Sequence, residues 1–133
     1  MEEWLVLSLV SMVFWGLWGF TGKVAVDGQG WSSAFTIASI SAILVTLGFF
    51  AYQRPPIKEI SWYAIAAGAI GTLGTIAYYL ALEKGRASIV VPLTALYPGI
   101  TILLSFLVLG ENITFYQGVG ILMAMASVVL MSL

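Results

Sequence analysis

The 133-residue chain contains no cysteine and no histidine, and only 8% of its residues are charged. Without thiolate or imidazole groups it lacks the usual ligands of a zinc peptidase site and the base of a Ser–His pair. It also has no thiol for redox chemistry. The formal net charge of -1 provides no basic surface for phosphates, which excludes nucleic acid as a partner. We therefore expect no enzyme, no metal and no other cofactor.

Hydrophobic residues make up 61% of the chain, and the few charged residues are gathered into short clusters. These clusters leave five uncharged intervals of 19 to 26 residues, namely 4–22, 28–53, 60–82, 87–110 and 112–133. A helix needs about 20 mostly apolar residues to cross the hydrocarbon core of a bilayer. A charge at the bilayer centre costs about 3 kcal/mol or more, so charges collect where spans end. The pattern predicts an all-α membrane protein, a bundle of five transmembrane helices at residues 4–22, 31–52, 61–82, 88–109 and 115–133.

The segments between the intervals contain residues that interrupt or begin helices. An Asp-Gly pair within residues 23–30 favours a turn, so we predict a loop there. Pro55 and Pro56 cannot continue a helix, and Thr114 is suited to cap the last one. With the chain devoted almost wholly to spans, we predict one domain over residues 1–133.

The ends of the spans carry the signals for location and orientation. Glu2 and Glu3 precede the first interval, whereas a signal peptide begins with basic residues, so we expect a retained first helix. This favours a multi-pass protein of the inner or plasma membrane. Arg54 and Lys58 fall on one face of the membrane. The opposite face has Lys23, Lys84 and Arg86. This small difference leaves open one orientation or two, and two orientations would permit an antiparallel dimer.

Serine and threonine residues recur at helical spacing in four of the predicted spans. Four mildly polar helix faces can enclose a water-accessible cavity, with tryptophan and tyrosine as walls suited to organic solutes or cations. The predicted substrate-binding residues are Trp15, Trp18, Thr36, Ser39, Thr75, Tyr78, Tyr79, Thr94, Tyr97 and Thr101. The alternative interpretation is that the hydroxyls bond to their own helix carbonyls and the aromatic rings simply pack.

Other residues suggest how the helices pack and move. Pro92, Pro98 and Gly99 predict a kink in the fourth span, either a hinge or a static feature of packing. Small residues of the third span, such as Gly68 and Gly71, are interpreted as a surface for close helix packing. On the fifth span, Gly120, Ala124 and Ser127 form a predicted dimer interface, with packing inside the chain as the alternative. Lys23 either extends outward, which we favour, or turns into a cavity mouth.

Two segments resemble a known family. Residues 14–25 read FWGLWGFTGKVA, and residues 78–130 combine a mid-helix YP, the run LGENIT and a Q-x-x-G sequence before the last span. This order is similar to that of EamA domains in the drug/metabolite transporter superfamily. The resemblance implies transport or export of small organic molecules such as amino acids, metabolites or drugs. It also implies pairing, since typical members contain two inverted five-helix domains.

A small organic solute and the lipid bilayer are therefore the expected partners. We interpret the chain as a half-size transporter that works by alternating access, either as a homodimer, which two membrane orientations would make antiparallel, or with a partner half. The alternatives are a lipid-carrier flippase and a non-transporting subunit of a larger membrane complex. The small multidrug resistance relatives use a first-span glutamate, which this first span lacks, so proton or ion coupling stays open.

Overall fold

The uncharged apolar intervals fold as helices in the computed structural model, which describes residues 2–57 and 59–132. The helices in chain order are α1 (Glu3–Gln29), α2 (Trp31–Gln53), α3 (Trp62–Lys84), α4 (Ala87–Thr94), α5 (Tyr97–Leu104), a π-helical segment (Ser105–Leu109) and α6 (Phe115–Ser132). Within the described residues there is no β-strand. The predicted all-α membrane class is confirmed.

Four described segments are long and apolar enough to cross a membrane. They are α1, α2, α3 and the broken helix Ala87–Leu109. The last helix is also apolar but shorter. At 1.5 Å per residue, its 18 residues give a length of about 27 Å, close to the roughly 30 Å of a hydrocarbon core. The final residue of the predicted fifth span, Leu133, lies outside the described residues.

Helix α1 is longer than predicted, because it continues through the segment that was expected to form a loop. Lys23 and Asp27 lie one turn apart, and their side chains form an ion pair of 2.7 Å between Nζ and Oδ1. This pair stabilises the helix across the Asp-Gly sequence that otherwise favours a turn. The helix ends only at Gly30, whose φ of 79° suits glycine and whose N–H donates to the Val26 carbonyl at 2.9 Å. A single residue therefore connects α1 to α2.

The chain divides into two compact units, α1 to α3 and α4 to α6. In the first unit each of the three helices contacts the other two. Its buried side chains gather near the end at which α1 and α3 finish and α2 begins. They include Val26 of α1, Ala34 of α2 and Tyr79 and Leu82 of α3. The core of this unit therefore lies at one end of the three helices.

In the second unit, α4 packs against α6, and the fourth predicted span is broken. Pro92 lies inside α4, which ends at Thr94, and Pro98 lies in the first turn of α5. The predicted kink is confirmed, whereas its function as a hinge stays a prediction. Beside it, a Cβ atom added to Gly99 would lie 3.2 Å from Cε of Met125. Glycine at this position therefore lets α6 approach α5 closely.

The predicted cap of the last helix is also present. The Gln117 N–H donates to Oγ1 of Thr114 at 3.4 Å, and the Thr114 N–H donates to Oε1 of Gln117 at 2.9 Å. This reciprocal pair is a capping box, which satisfies two backbone donors at the start of α6.

Candidate functional site

The first unit contains a cleft between α2 and α3, with a volume of about 720 Å³. Trp18, Phe35 and Tyr79 line it at the packed end of the unit. These three rings form its aromatic floor. The volume lies within the range of small-molecule binding sites, about 300–1,000 Å³.

Small side chains on both helices leave the cleft unfilled. From α3, the wall includes Gly68 and Gly71, and in both cases an added Cβ would have no neighbour within 4 Å. From α2, Ala38 and Ala42 face the same space. The interpretation of Gly68 and Gly71 as a close-packing surface is therefore wrong within this unit, where they form the wall of an open cleft. Their lack of a side chain leaves room for a ligand.

The aromatic floor belongs to a connected cluster of rings. Trp18 stacks on Tyr78 with ring centroids 5.0 Å apart and an interplanar angle of 17°. Tyr79 contacts Phe35 edge to face at 6.0 Å and lies 6.3 Å from Trp18. Gly22 of α1 faces this cluster, since a Cβ added there would lie in van der Waals contact with the Tyr79 hydroxyl oxygen, at 3.6 Å. The cluster joins all three helices and fixes the position of the floor.

Threonine hydroxyls in the cleft donate their hydrogen bonds to their own helices. Thr46 bonds to the Ala42 carbonyl, and Thr75 bonds to the Gly71 carbonyl, each at 2.8 Å. Thr72 behaves in the same way toward Gly68, also at 2.8 Å. The alternative interpretation of the hydroxyls is thus confirmed for these residues. Their oxygen atoms retain the capacity to accept a hydrogen bond from a ligand.

Charged groups brace the packed end of the unit. The Lys23 Nζ donates to the Leu82 carbonyl oxygen at 2.8 Å, at the C-terminal end of α3, in addition to its ion pair with Asp27. The Trp31 N–H, at the start of α2, donates to Oε1 of Glu83 at 3.1 Å. A cation at a helix C-terminus and an anion at an N-terminus both complement the helix dipole. The favoured interpretation of Lys23 as extending outward is wrong, because its side chain is only 23% exposed and binds α3.

The structure brings together some of the predicted binding residues. Trp18, Ser39, Thr75 and Tyr79 line the cleft, and Tyr78 lies behind it, stacked on Trp18. Trp15 and Thr36 are also in the first unit, but both are exposed and neither is part of the described cleft lining. Thr36 instead donates to the Ser32 carbonyl.

The remaining predicted binding residues belong to the second unit. Thr94 and Tyr97 line a separate cavity of about 470 Å³ together with Gly99 and Met125, while Thr101 is exposed outside this lining. On α6, the predicted interface residues Gly120, Ala124 and Ser127 are exposed on the unit. Whether any of these residues binds substrate or a second copy stays a prediction.

Phe35 is a cleft residue that the sequence reasoning missed. It is a single apolar aromatic residue in an apolar helix, so only its position one turn before Ser39 could have indicated it. The two bonds at the packed end, from Lys23 to the Leu82 carbonyl and from the Trp31 N–H to Glu83, which we call the brace, were missed as well. The spacing of Lys23 and Asp27 could have indicated their ion pair, but no local signal links Lys23 to Leu82.

The helices and the cleft define a multi-pass helical membrane protein with space for a small molecule. Comparison with known proteins gives the family. Residues 3–133 match the EamA-like transporter family, and the chain belongs to that family.

Three relatives are similar over nearly the whole chain. An uncharacterised protein of Methanocaldococcus jannaschii is 32% identical over 135 residues, covering 100% of this chain and 98% of the relative. An uncharacterised transporter of Archaeoglobus fulgidus is 30% identical over 149 residues, covering 99% of this chain but 48% of the relative. A probable transport protein of Saccharomyces cerevisiae is 28% identical, with 95% of this chain and 40% of the relative covered. The chain thus spans about half the length of the Archaeoglobus fulgidus relative and a smaller share of the Saccharomyces cerevisiae relative. No solved structure matches it.

Proposed function

We propose that this protein is a half-size transporter that moves small organic solutes across the cell membrane as a dimer, by alternating access. The observation that carries the proposal is the solute-sized cleft between α2 and α3, in a chain that matches a transporter family over residues 3–133. The cleft combines an aromatic floor, hydroxyl oxygens and walls of small residues. Such a mixture of apolar surface and a few polar groups is typical of small-molecule sites.

The lengths of the relatives support the proposed pairing. The two transport-named relatives are about twice as long as this chain or longer, whereas the methanocaldococcal relative is matched over 98% of its length. A second copy would supply the remainder of a full-length transporter. The exposed small residues Gly120, Ala124 and Ser127 on α6 support contact with that copy, because membrane helices associate through small side chains. The small Lys/Arg difference between the two faces supports an antiparallel arrangement.

Solute uptake into proteoliposomes tests the proposal. The purified protein is reconstituted and assayed with radiolabelled amino acids, amines and neutral metabolites, against protein-free liposomes. We expect flux of at least one class. The cleft is then tested with Gly71→Leu, which fills its wall, and with Gly74→Leu as the matched control on the same helix. Neither position has a neighbour within 4 Å of an added Cβ, and only Gly71 lines the cleft.

Comparison of the two leucine variants distinguishes blockage of the cleft from a general effect of leucine on the stability of α3. Both replace glycine with the same better helix former, so any change in helix stability is shared. We expect Gly71→Leu to abolish flux and Gly74→Leu to retain most of it. Equal flux in both variants would reject the cleft as the solute path. The absence of flux for every solute class would reject transport and favour a non-transporting subunit.

A further inference from the structure

We infer that the cleft selects organic cations, primary to quaternary ammonium compounds, and that it recognises them without a carboxylate. The inference rests on the proposed function, because it names the substrate class of the same site. It follows from the hydrogen-bonding groups and the rings that line the cleft, and from the absence of charged side chains in its described lining.

Three of the hydroxyls that line the cleft are available mainly as acceptors. Thr46, Thr72 and Thr75 all donate their own protons to backbone carbonyls four residues earlier, at 2.8 Å. Their oxygen atoms can then only receive hydrogen bonds from a ligand. A primary, secondary or tertiary ammonium group donates N–H bonds and accepts none, so it matches this arrangement, whereas a quaternary ammonium group has no N–H and would meet the same oxygen atoms only through their partial negative charge. A carboxylate or a phosphate is an acceptor and would find these three hydroxyls already committed.

The aromatic floor provides the second contribution. Trp18 is the ring type that binds cations most strongly over its face, and Phe35 and Tyr79 contribute further rings to the same part of the cleft. The stack of Tyr78 on Trp18 holds the indole in a fixed orientation. Quaternary ammonium groups are commonly recognised by several aromatic rings around one charge. We therefore place the charged end of the solute at this floor and its apolar part along the walls of small residues.

No charged side chain belongs to the described lining of the cleft. An anion there would lack any Lys or Arg partner and would meet only neutral donors, namely the indole N–H of Trp18 and the hydroxyls of Ser39 and Tyr79. A cation would lack an ion-pair partner too, but the ring faces and the hydroxyl oxygens would both stabilise it. Because an unpaired charge away from water is costly, this difference determines which sign of charge the cleft accepts.

Matched ligands test the sign of the charge directly. Binding to the detergent-purified protein is measured by calorimetry for choline, for its neutral isostere 3,3-dimethylbutan-1-ol and for the anion 3,3-dimethylbutanoate. Benzyltrimethylammonium serves as a larger cation that fills more of the cleft. We expect the better of the two cations to bind at least tenfold more tightly than the neutral alcohol, and the anion to show no binding. Equal affinity for the alcohol, binding of the anion, or no binding of either cation would overturn the inference.

Variants of Trp18 test the position of the charge. Removing one cation–π contact in Trp18→Leu should weaken cation binding about tenfold, with little change for the alcohol. Trp18→Phe keeps a ring and should stay within about threefold of the parent protein. The control Trp4→Leu changes an exposed tryptophan outside the cleft and should have no effect. An equal loss for cation and alcohol in Trp18→Leu would show a structural effect and would reject the proposed role of this ring.

Flux measurements distinguish a failure of cation selection from a failure of the proposed transport function. Transport of a neutral or anionic solute, with neither cation transported nor bound, would reject cation selection and leave the transporter proposal intact. Selective cation binding in a protein that transports no solute would retain the binding site and reject transport.

Discussion

Replacing Lys23 with methionine should destabilise the first unit measurably, because the ammonium group makes two interactions that methionine cannot. Its hydrogen bond to the Leu82 carbonyl, at 2.8 Å, joins α1 to the end of α3, and its ion pair with Asp27 lies within α1. A hydrogen bond from a charged donor contributes about 1.5 kcal/mol at the lower end of its range. The ion pair adds about 0.4 kcal/mol, because Asp27 is largely exposed. We therefore expect Lys23→Met to lower the free energy of unfolding by about 2 kcal/mol.

The measurement is reversible unfolding in mixed detergent micelles, followed by helical circular dichroism. Asp27→Asn should lower the free energy of unfolding by only about 0.5 kcal/mol, because it leaves the bond to Leu82 in place. Lys84→Met is the matched control, since Lys84 is an exposed lysine at the end of α3. A Lys23→Met effect no larger than that of Lys84→Met would refute the reasoning that the interhelical bond stabilises the unit.

Three further substitutions test other contacts. Glu83→Gln should destabilise the protein by about 0.5 kcal/mol, because a neutral amide is a weaker cap for the Trp31 N–H; an unchanged unfolding midpoint would contradict this. Thr114→Val should cost about 1 kcal/mol by removing the N-cap of α6, measured by the same unfolding assay, whereas Thr114→Ser should retain most of the stability. Gly99→Ala should change the free energy of unfolding by less than about 1 kcal/mol, because the better helix propensity of alanine opposes the contact of its Cβ with the flexible end of Met125. In a Met125→Ala background the same substitution should be more stabilising, and an identical effect in both backgrounds would show that the contact contributes nothing.

The approximate positions of the apolar helical spans were predictable because the bilayer imposes them. An apolar interval of about 20 residues has few stable solutions in lipid other than a helix. Thr114 correctly predicted the start of the last helix, and Pro92 and Pro98 correctly predicted the break in the fourth span. Both signals are local, since a helix cap and a missing backbone N–H affect only the nearest few residues. The end of α1 was not predictable from the turn signal alone, because the ion pair between Lys23 and Asp27 competes with it.

The site was only partly predictable, because it depends on contacts between distant residues. Lys23 and Leu82 are 59 residues apart, and Trp31 and Glu83 are 52 apart, so no local pattern reports either bond. The polar faces drew attention to Ser39 and Thr75, which line the cleft, whereas their binding of a solute stays a prediction. The glycines of α3 were ambiguous, since a missing side chain permits either close packing or an open space. Only the position of the neighbouring helix decides between the two.

Within the first unit, the brace holds α2 and α3 together at one end, and the cleft lies between the same two helices farther along. At the packed end, Lys23 binds the end of α3, Glu83 binds the start of α2, and the rings of the floor fill the space between the helices. Farther along, α2 and α3 are separated by the cleft. In the proposed alternating access, a change in the width of the cleft would pivot at the packed end, because separating the helices there would break these bonds. Because Lys23 does not line the cleft, Lys23→Met should alter the rate of solute flux far more than ligand affinity. A large loss of cation affinity with an unchanged rate would show that the brace shapes the binding site itself instead of guiding its movement.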